Sequence, residues 1–213
     1  MVAATSSASD QVRSAQTQDK LLDAGIALFS SLGFEATSTR QVETHAGVQR
    51  NLINYHFGSK ENFWKACMNV LFDPMVAATR EVVALSRDLP SAERVRFLIR
   101  RYVRVSAAHP EITRIMFDEG RRDDWRLAWL VENYSRDFYE TVGRLFEMGR
   151  DENILPDISL SQFYYALVSS TVIFAMAPEC RMLSGQDPNS DSLVDAQADA
   201  IARLLTVSRE TQP

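Results

Sequence analysis

The stretch STRQVETHAGVQRNLINYHFGSKENF, residues 38–63, decides the fold. Ser38, with Gln41 three residues on, forms a capping-box pattern and opens a short helix. Gly47 suits a left-handed turn after Ala46. A second short helix is expected from about Gln49 to His56. Gly58-Ser59-Lys60 makes the next turn. Ser59 can cap the helix that follows, and Glu61 in its first turn complements the helix dipole. That helix is expected from Lys60 to about Asp73, where Pro74 interrupts it. Upstream, Leu21, Leu22, Gly25, Leu28, Phe29 and Leu32 recur at helical spacing and predict a helix from about Thr17 to Leu32, closed by Gly33. Two short helices joined by a tight glycine turn, with a supporting helix before them, make a helix-turn-helix unit.

Outward from that unit the chain reads as all-α. Glycine and proline are few, and no useful length of β-branched alternation occurs. Val95, Leu98, Ile99, Tyr102 and Val103 form one apolar helical face; Pro110 ends that helix and starts another through about Glu119. Residues 123–150 are long and amphipathic. Residues 159–183 are apolar nearly all round, so more than one face should be buried, and Pro178 should kink or end that segment. Val194, Ala198, Ile201 and Leu205 line a last stripe. The expected organisation is a Ser- and Ala-rich disordered tail over 1–16, a helix-turn-helix domain over 17–63 and a helical domain over 64–213.

Hydrophobic residues make up 46% of the chain and charged residues 24%, which fits an ordinary globular protein. No apolar run approaches the roughly 18 residues that span a bilayer, and the first sixteen residues lack the apolar middle of a signal peptide, so a cytosolic location is expected. Cys67 and Cys180 lie far apart without metal-ligand spacing; buried neutral thiols are the plain expectation and a redox switch the sharper one. The net charge of −5 argues against a nucleic-acid binder. Its distribution does not: residues 39–60 hold Arg40, Arg50 and Lys60 against Glu43 alone. What matters for DNA is the local face.

In a helix-turn-helix the second helix enters the major groove. Gln49, Arg50, Asn51 and Asn54 fall on that expected helix. Gln and Asn can pair with adenine through two bonds, and Arg with guanine. Tyr55, His56 and Lys60 suit phosphate oxygens, as do Ser38 and Thr39 at the start of the preceding helix. Phe57 and Phe63 are expected to pack the unit together.

STRQVETHAGV followed by LINYHFGSKENFW resembles the DNA-binding head of the tetracycline-repressor (TetR) family of bacterial regulators, over about Gln18 to Leu71. The remainder is similar to that family in length and helix pattern. The resemblance implies a homodimer with two DNA heads, each joined to a helical body that holds a small-molecule effector and dimerises through its last two long helices. It places Thr39 and Arg40 at backbone and base contacts, Gln49, Arg50, Asn51 and Asn54 on the recognition helix, and Tyr55, His56 and Lys60 at phosphate contacts. Three positions depart from the family pattern. Glu43 stands where a small residue is usual between the two short helices, so it either tilts outward or changes their angle. Gln49 replaces the usual Ser or Thr cap, and Asn54 replaces a frequent Tyr.

For the body, an effector pocket is expected among Arg100, Met116, Phe117, Trp125, Trp129, Tyr134, Phe138, Phe163 and Tyr164, with plain core packing as the alternative for each. Arg96, Arg100 and Arg104 form a stripe that is either a solvated face or an anion site. The dimer stripe is expected at Phe163, Leu167, Ser170 and Phe174, with Val194, Ile201 and Leu205 as a second face. No cofactor or metal ion is expected, and His109 is expected to close a helix end. An enzyme is disfavoured, since GxSxG, HExxH, Walker, GxGxxG and CxxC patterns are all absent. The reading is a repressor released by an organic effector from a palindromic operator. The alternative is a helical protein-interaction adaptor that does not read bases.

Overall fold

The computed structural model describes residues 3–207, with side chains placed from residue 11 onward. No strand occurs among the described residues. The chain divides into two compact units, with the boundary between Phe72 and Asp73.

The first unit holds α1 (Ala3–Ala36), α2 (Thr39–His45), α3 (Leu52–Phe57) and the beginning of α4 (Lys60–Leu85). Gly33, at φ 80°, breaks α1 at the position where the sequence places a stop. Upstream, α1 reaches back through residues expected to form a disordered tail, of which residues 1–2 lie outside the described residues. Neither glycine nor proline interrupts Ala3 to Ala24, so no local signal stops the helix there. Leu21, Phe29, Val42, Ile53, Phe63 and Trp64 are buried completely or nearly so and form the core of this unit. Each such side chain contributes about 1.5–3 kcal/mol when fully removed from water. The Phe63 ring meets Phe29 at 5.9 Å and Phe57 at 5.0 Å between centroids, the packing expected of it. Gly25 lets α1 and α4 approach closely: a Cβ there would lie 2.6 Å from both Cys67 Sγ and Phe63 Cζ. Cys67 is buried and burial pushes its thiol pKa up, which is the neutral-thiol alternative; Cys180 is half-buried.

Two helix boundaries differ from expectation. α3 starts at Leu52, not Gln49, because Asn51 takes up φ 70°, ψ 10° and cannot continue a helix backwards. Asn is among the few non-glycine residues that tolerate this conformation. α4 does not stop at Pro74 but runs to Leu85. Interior proline costs about 3 kcal/mol. Met75, Ala78 and Val82, spaced i, i+3 and i+7 beyond it, are buried and offset that cost.

The second unit contains the rest of α4, α5 (Ser91–Ala108), α6 (Pro110–Glu119), α7 (Trp125–Leu130), a π-helical turn (Val131–Ser135), α8 (Arg136–Asp151), α9 (Leu160–Ser169), α10 (Val172–Ala175), α11 (Ala177–Ser184) and α12 (Asp191–Leu204). Pro110 opens α6, and His109 occupies the junction before it, as expected. Pro178 lies in the first turn of α11, where its missing N–H costs nothing, and the chain bends by 75° between Ala175 and Ala177. The core joins Val95, Leu98 and Ile99 of α5 to Val142 and Phe146 of α8, Phe163 and Leu167 of α9, and Ala202 and Leu205.

That core takes in most of the expected dimer stripe. Phe163, Leu167 and Phe174 are at most 1% exposed, and Leu205 is 7% exposed. Val194 and Ile201 pack half-buried against the same interior, and Ser170 is half-buried. These side chains pack the interior of the second unit, fully or in part. On α9 the outward stripe is Ser161, Gln162, Tyr165, Ala166 and Ser169; on α12 it is Ser192, Ala196 and Leu204. A segment apolar on all sides has two faces that could go inward, and its sequence alone does not rank them.

Candidate nucleic-acid interface

α2 is fixed at its start by a complete capping box. The Gln41 N–H donates to Ser38 Oγ at 3.2 Å, and the Ser38 N–H donates to Gln41 Oε1 at 2.7 Å. Ser38 is therefore committed to the scaffold as well as exposed beside it. Thr39 is half-buried at the first position of α2, and Arg40 next to it is exposed. Arg40, Thr44 and His45 border a cleft of about 340 Å³ with Leu28, Ser38 and Gln41.

Gly47, at φ 65°, turns the chain towards α3. Gln49, Arg50 and Asn51 are all exposed, but they lie in this turn and not on α3, a correction to the expected recognition helix. Asn54 and Tyr55 are exposed on α3 itself. The Asn54 amide donates to Asn51 Oδ1 at 2.9 Å, so these two amides are held as a pair at the start of the helix. Tyr55 is 78% exposed, an unusual degree for an aromatic, with its ring edge-on to His56 at 4.9 Å. His56 is half-buried, and its Nδ1 lies 3.2 Å from Gln18 Nε2 on α1. Lys60, half-buried at the start of α4, holds its ammonium 4.1 Å from the centre of the Phe34 ring.

Gln49, Arg50 and Asn51 are thus exposed in the turn, Asn54 and Tyr55 on the helix that follows it, and Arg40 at the start of the helix that precedes it. His56 and Lys60 are more deeply engaged in the unit than the sequence suggested. Two contributors were not singled out for these roles. Gln18 reaches His56 across 38 residues, a contact without local signature. Glu43 neither tilts outward nor stands idle: it is 5% exposed, and its Oε1 accepts the Ile53 N–H at 3.1 Å.

The residues expected to line an effector pocket do not converge. Phe117 and Trp125 are exposed, and Met116 is half-buried. Arg100 pairs with Asp199 at 2.6 Å, beside the Arg104–Asp195 pair at 2.9 Å. Both are surface pairs joining α5 to α12, where solvent screens the attraction. Trp129 meets Tyr134 edge-on at 5.7 Å across the π-helical turn, and Phe163 packs on Phe146 at 5.5 Å in the core. Phe138 stacks on Tyr102 at 5.2 Å and meets Tyr164 at 6.0 Å. Beside that stack, Ala78, Thr79, Val82 and Leu98 border a cavity of about 10 Å³. No group of three or more His, Cys, Asp or Glu placed to hold a metal occurs among the described residues. Nor, among them, is any single helix long and apolar enough to cross a membrane.

Residues 21–67 match the family described as bacterial regulatory proteins, tetR family. The chain is 28% identical to the HTH-type transcriptional repressor NicS of Pseudomonas putida over 167 residues, 75% of each chain. It is 32% identical to the HTH-type transcriptional repressor KstR2 of Rhodococcus jostii over 69 residues, which span only 34% of that relative. The ketosteroid transcriptional regulator KstR2 of Mycobacterium tuberculosis shares the fold at a TM-score of 0.70 and 19% identity, over 90% of this chain and 95% of that one. A helix pair that displays exposed amides and Arg50 at its turn, matched over residues 21–67 to bacterial regulatory proteins of the tetR family and beyond it to transcriptional repressors, is similar to the DNA-binding head of those regulators.

Proposed function

We propose that this DNA-binding regulator acts as a homodimeric repressor that recognises a near-palindromic operator and leaves it when a small organic effector binds the second unit. The observation that carries the reading is the exposed set on the helix pair and its turn: Arg40 on α2, Gln49 and Arg50 in the turn, and Asn54 and Tyr55 on α3, displayed on a unit with a well-packed interior. Arg and amide side chains are the groups that discriminate base edges in the major groove. A two-fold dimer carrying two such heads demands two inverted half-sites at fixed spacing.

The effector reading asks for more room than the second unit has as packed. A cavity of about 10 Å³ beside Tyr102 and Phe138 accommodates at most one water. A drug-sized ligand needs roughly 300 Å³ or more. Binding must therefore prise helices apart, which gives it unequal affinity for two states, as release requires. α4 is shared by both units and is the natural relay. A coupling of about 1–3 kcal/mol weakens operator binding roughly 5–150-fold.

The test is selection of bound duplexes from a random DNA pool at fixed, near-physiological salt. Enrichment of an inverted repeat with one spacing is the expected result, and it supplies the probe for an effector screen. Folded protein that enriches nothing would transfer the reading to a protein-interaction adaptor.

A further inference from the structure

We infer that Glu43 is the N-terminal cap of the recognition helix, supplied from the neighbouring helix, and that it positions the base-reading residues. The inference rests on the reading of α3 and its preceding turn as the DNA contact. A six-residue helix has few internal hydrogen bonds, so its first free N–H groups weigh heavily on its stability. Such groups are ordinarily satisfied by a Ser, Thr, Asp or Asn at the cap position itself. That local solution is missing. Asn51 holds the cap position in a left-handed conformation, and its side chain makes no cap bond to the backbone. Its Oδ1 is occupied by the Asn54 amide. Gln49 lies further back in the turn and is exposed.

Glu43 fills the gap from ten residues upstream. It sits near the end of α2, 5% exposed, and its Oε1 accepts the Ile53 N–H at 3.1 Å. Ile53 is the second residue of α3 and is itself fully buried, so this bond lies in the interior of the unit. A carboxylate at a helix N-terminus also meets the positive end of the helix dipole, which compensates part of its desolvation. One side chain thus joins the end of α2 to the start of α3. The angle between the two helices, and with it the placement of Arg50 and Asn54, depends on that bond. Glu43 is a positioning residue and touches no DNA.

Two variants of the full chain separate this role from plain packing. Glu43→Ala removes the acceptor. Glu43→Gln keeps an acceptor oxygen at the same reach. The first readout is hydrogen exchange at the Ile53 amide, compared with the Tyr55 amide, which bonds the Asn51 carbonyl at 3.1 Å. The second is titration against the selected duplex and against single-base variants of it at constant salt. Glu43→Ala is expected to expose Ile53 to exchange about 10-fold faster relative to Tyr55 and to weaken duplex binding about 3–30-fold, with blunted base preference. Glu43→Gln is expected to stay within about 3-fold of the parent in both. Unchanged exchange or unchanged affinity in Glu43→Ala overturns the inference, and so does a Gln variant that behaves like Ala. If the parent protein selects no duplex, the DNA reading fails by itself. Ile53 exchange then decides the cap: protection lost with Ala and kept with Gln upholds it, and any other pattern overturns it.

Discussion

Arg50 and Lys60 carry the same charge but differ in surroundings, and the difference separates their roles. Arg50 is exposed in the turn before α3, at the edge of the base-reading set. Arg50→Ala should cost about 1–3 kcal/mol of operator binding and relax base preference at one position in each half-site. A titration that finds the affinity unchanged removes Arg50 from the set. Lys60, half-buried, rests over Phe34 at 4.1 Å, a contact worth about 0.5–2 kcal/mol to the fold. Lys60→Ala should weaken all duplexes alike and reduce the salt slope by about 1, and it should also lower the melting temperature of the first unit. A change in base preference at constant salt slope would contradict a phosphate role. Asn51 shows what residue-level reading misses. As an amide on an expected helix it looks like an adenine reader, but its φ of 70° makes it a backbone device as well. Asn51→Gly should fold at least as stably as the parent, whereas Asn51→Val should cost about 1–2 kcal/mol, the penalty of a branched residue in the left-handed region. Equal denaturation midpoints for the two variants would show that the turn has another conformation.

At the scale of elements, legibility followed the range of the interactions. The α2 capping box, the Gly33 and Gly47 breaks and the start of α6 at Pro110 are decided within a few residues and were all read from the sequence. The passage of α4 through Pro74 was not, because Met75, Ala78 and Val82 outweigh the proline only when they are buried. The junction of α6 and α7 was missed for the same reason. Nothing in the local spacing marks Arg126 or Glu119 for the interior, yet they are 3% and 1% exposed. The Arg126 Nε donates to Glu119 Oε2 at 2.8 Å, and one terminal nitrogen pairs with Asp124 Oδ2 at 2.7 Å. Burial pushes the Glu119 carboxyl above its usual pKa despite the pull of the Arg126 guanidinium. Desolvation therefore outweighs attraction, and the pair serves more to fix the corner than to stabilise it. Arg126→Leu should cost about 3–5 kcal/mol, because it leaves the buried Glu119 carboxyl with only Arg122, 3.8 Å away, as a cationic partner. Glu119→Leu combined with Arg126→Leu should recover most of that loss, since an apolar pair of similar volume replaces a buried ion pair at little cost. A double variant as unstable as the single one, in chemical denaturation, would mean that the pair stabilises the fold outright.

For the whole molecule the sequence gives the helix-turn-helix head at once and the assembly only in outline. Head-forming residues are contiguous, so spacing and capping expose them. A dimer face on the proposed reading depends on which side of α9 and α12 the chain has already used for itself. Phe163, Leu167, Phe174 and Leu205 look like an interface in one dimension and are interior in three. What remains outside is a stripe of mostly small residues: Ala166 and Ser169 with Tyr165 on α9, and Ser192 and Ala196 with Leu204 on α12. Tyr165 is 65% exposed and Leu204 72%. Small residues let helices approach closely, so two copies of this pair can form a four-helix bundle. The two stripes make opposite predictions. Ala166→Glu with Leu204→Glu changes positions that are open to solvent in the subunit. It should leave the melting temperature of isolated subunits nearly unchanged while shifting the sedimentation coefficient from dimer to monomer. Operator binding should fall with it, because one head binds one half-site without the second contact. Leu167→Ala removes a fully buried side chain and should cost about 2–5 kcal/mol of subunit stability. If instead the double glutamate variant sediments as a dimer, the assembly uses another surface, and the reach between the two heads has to be derived from that one.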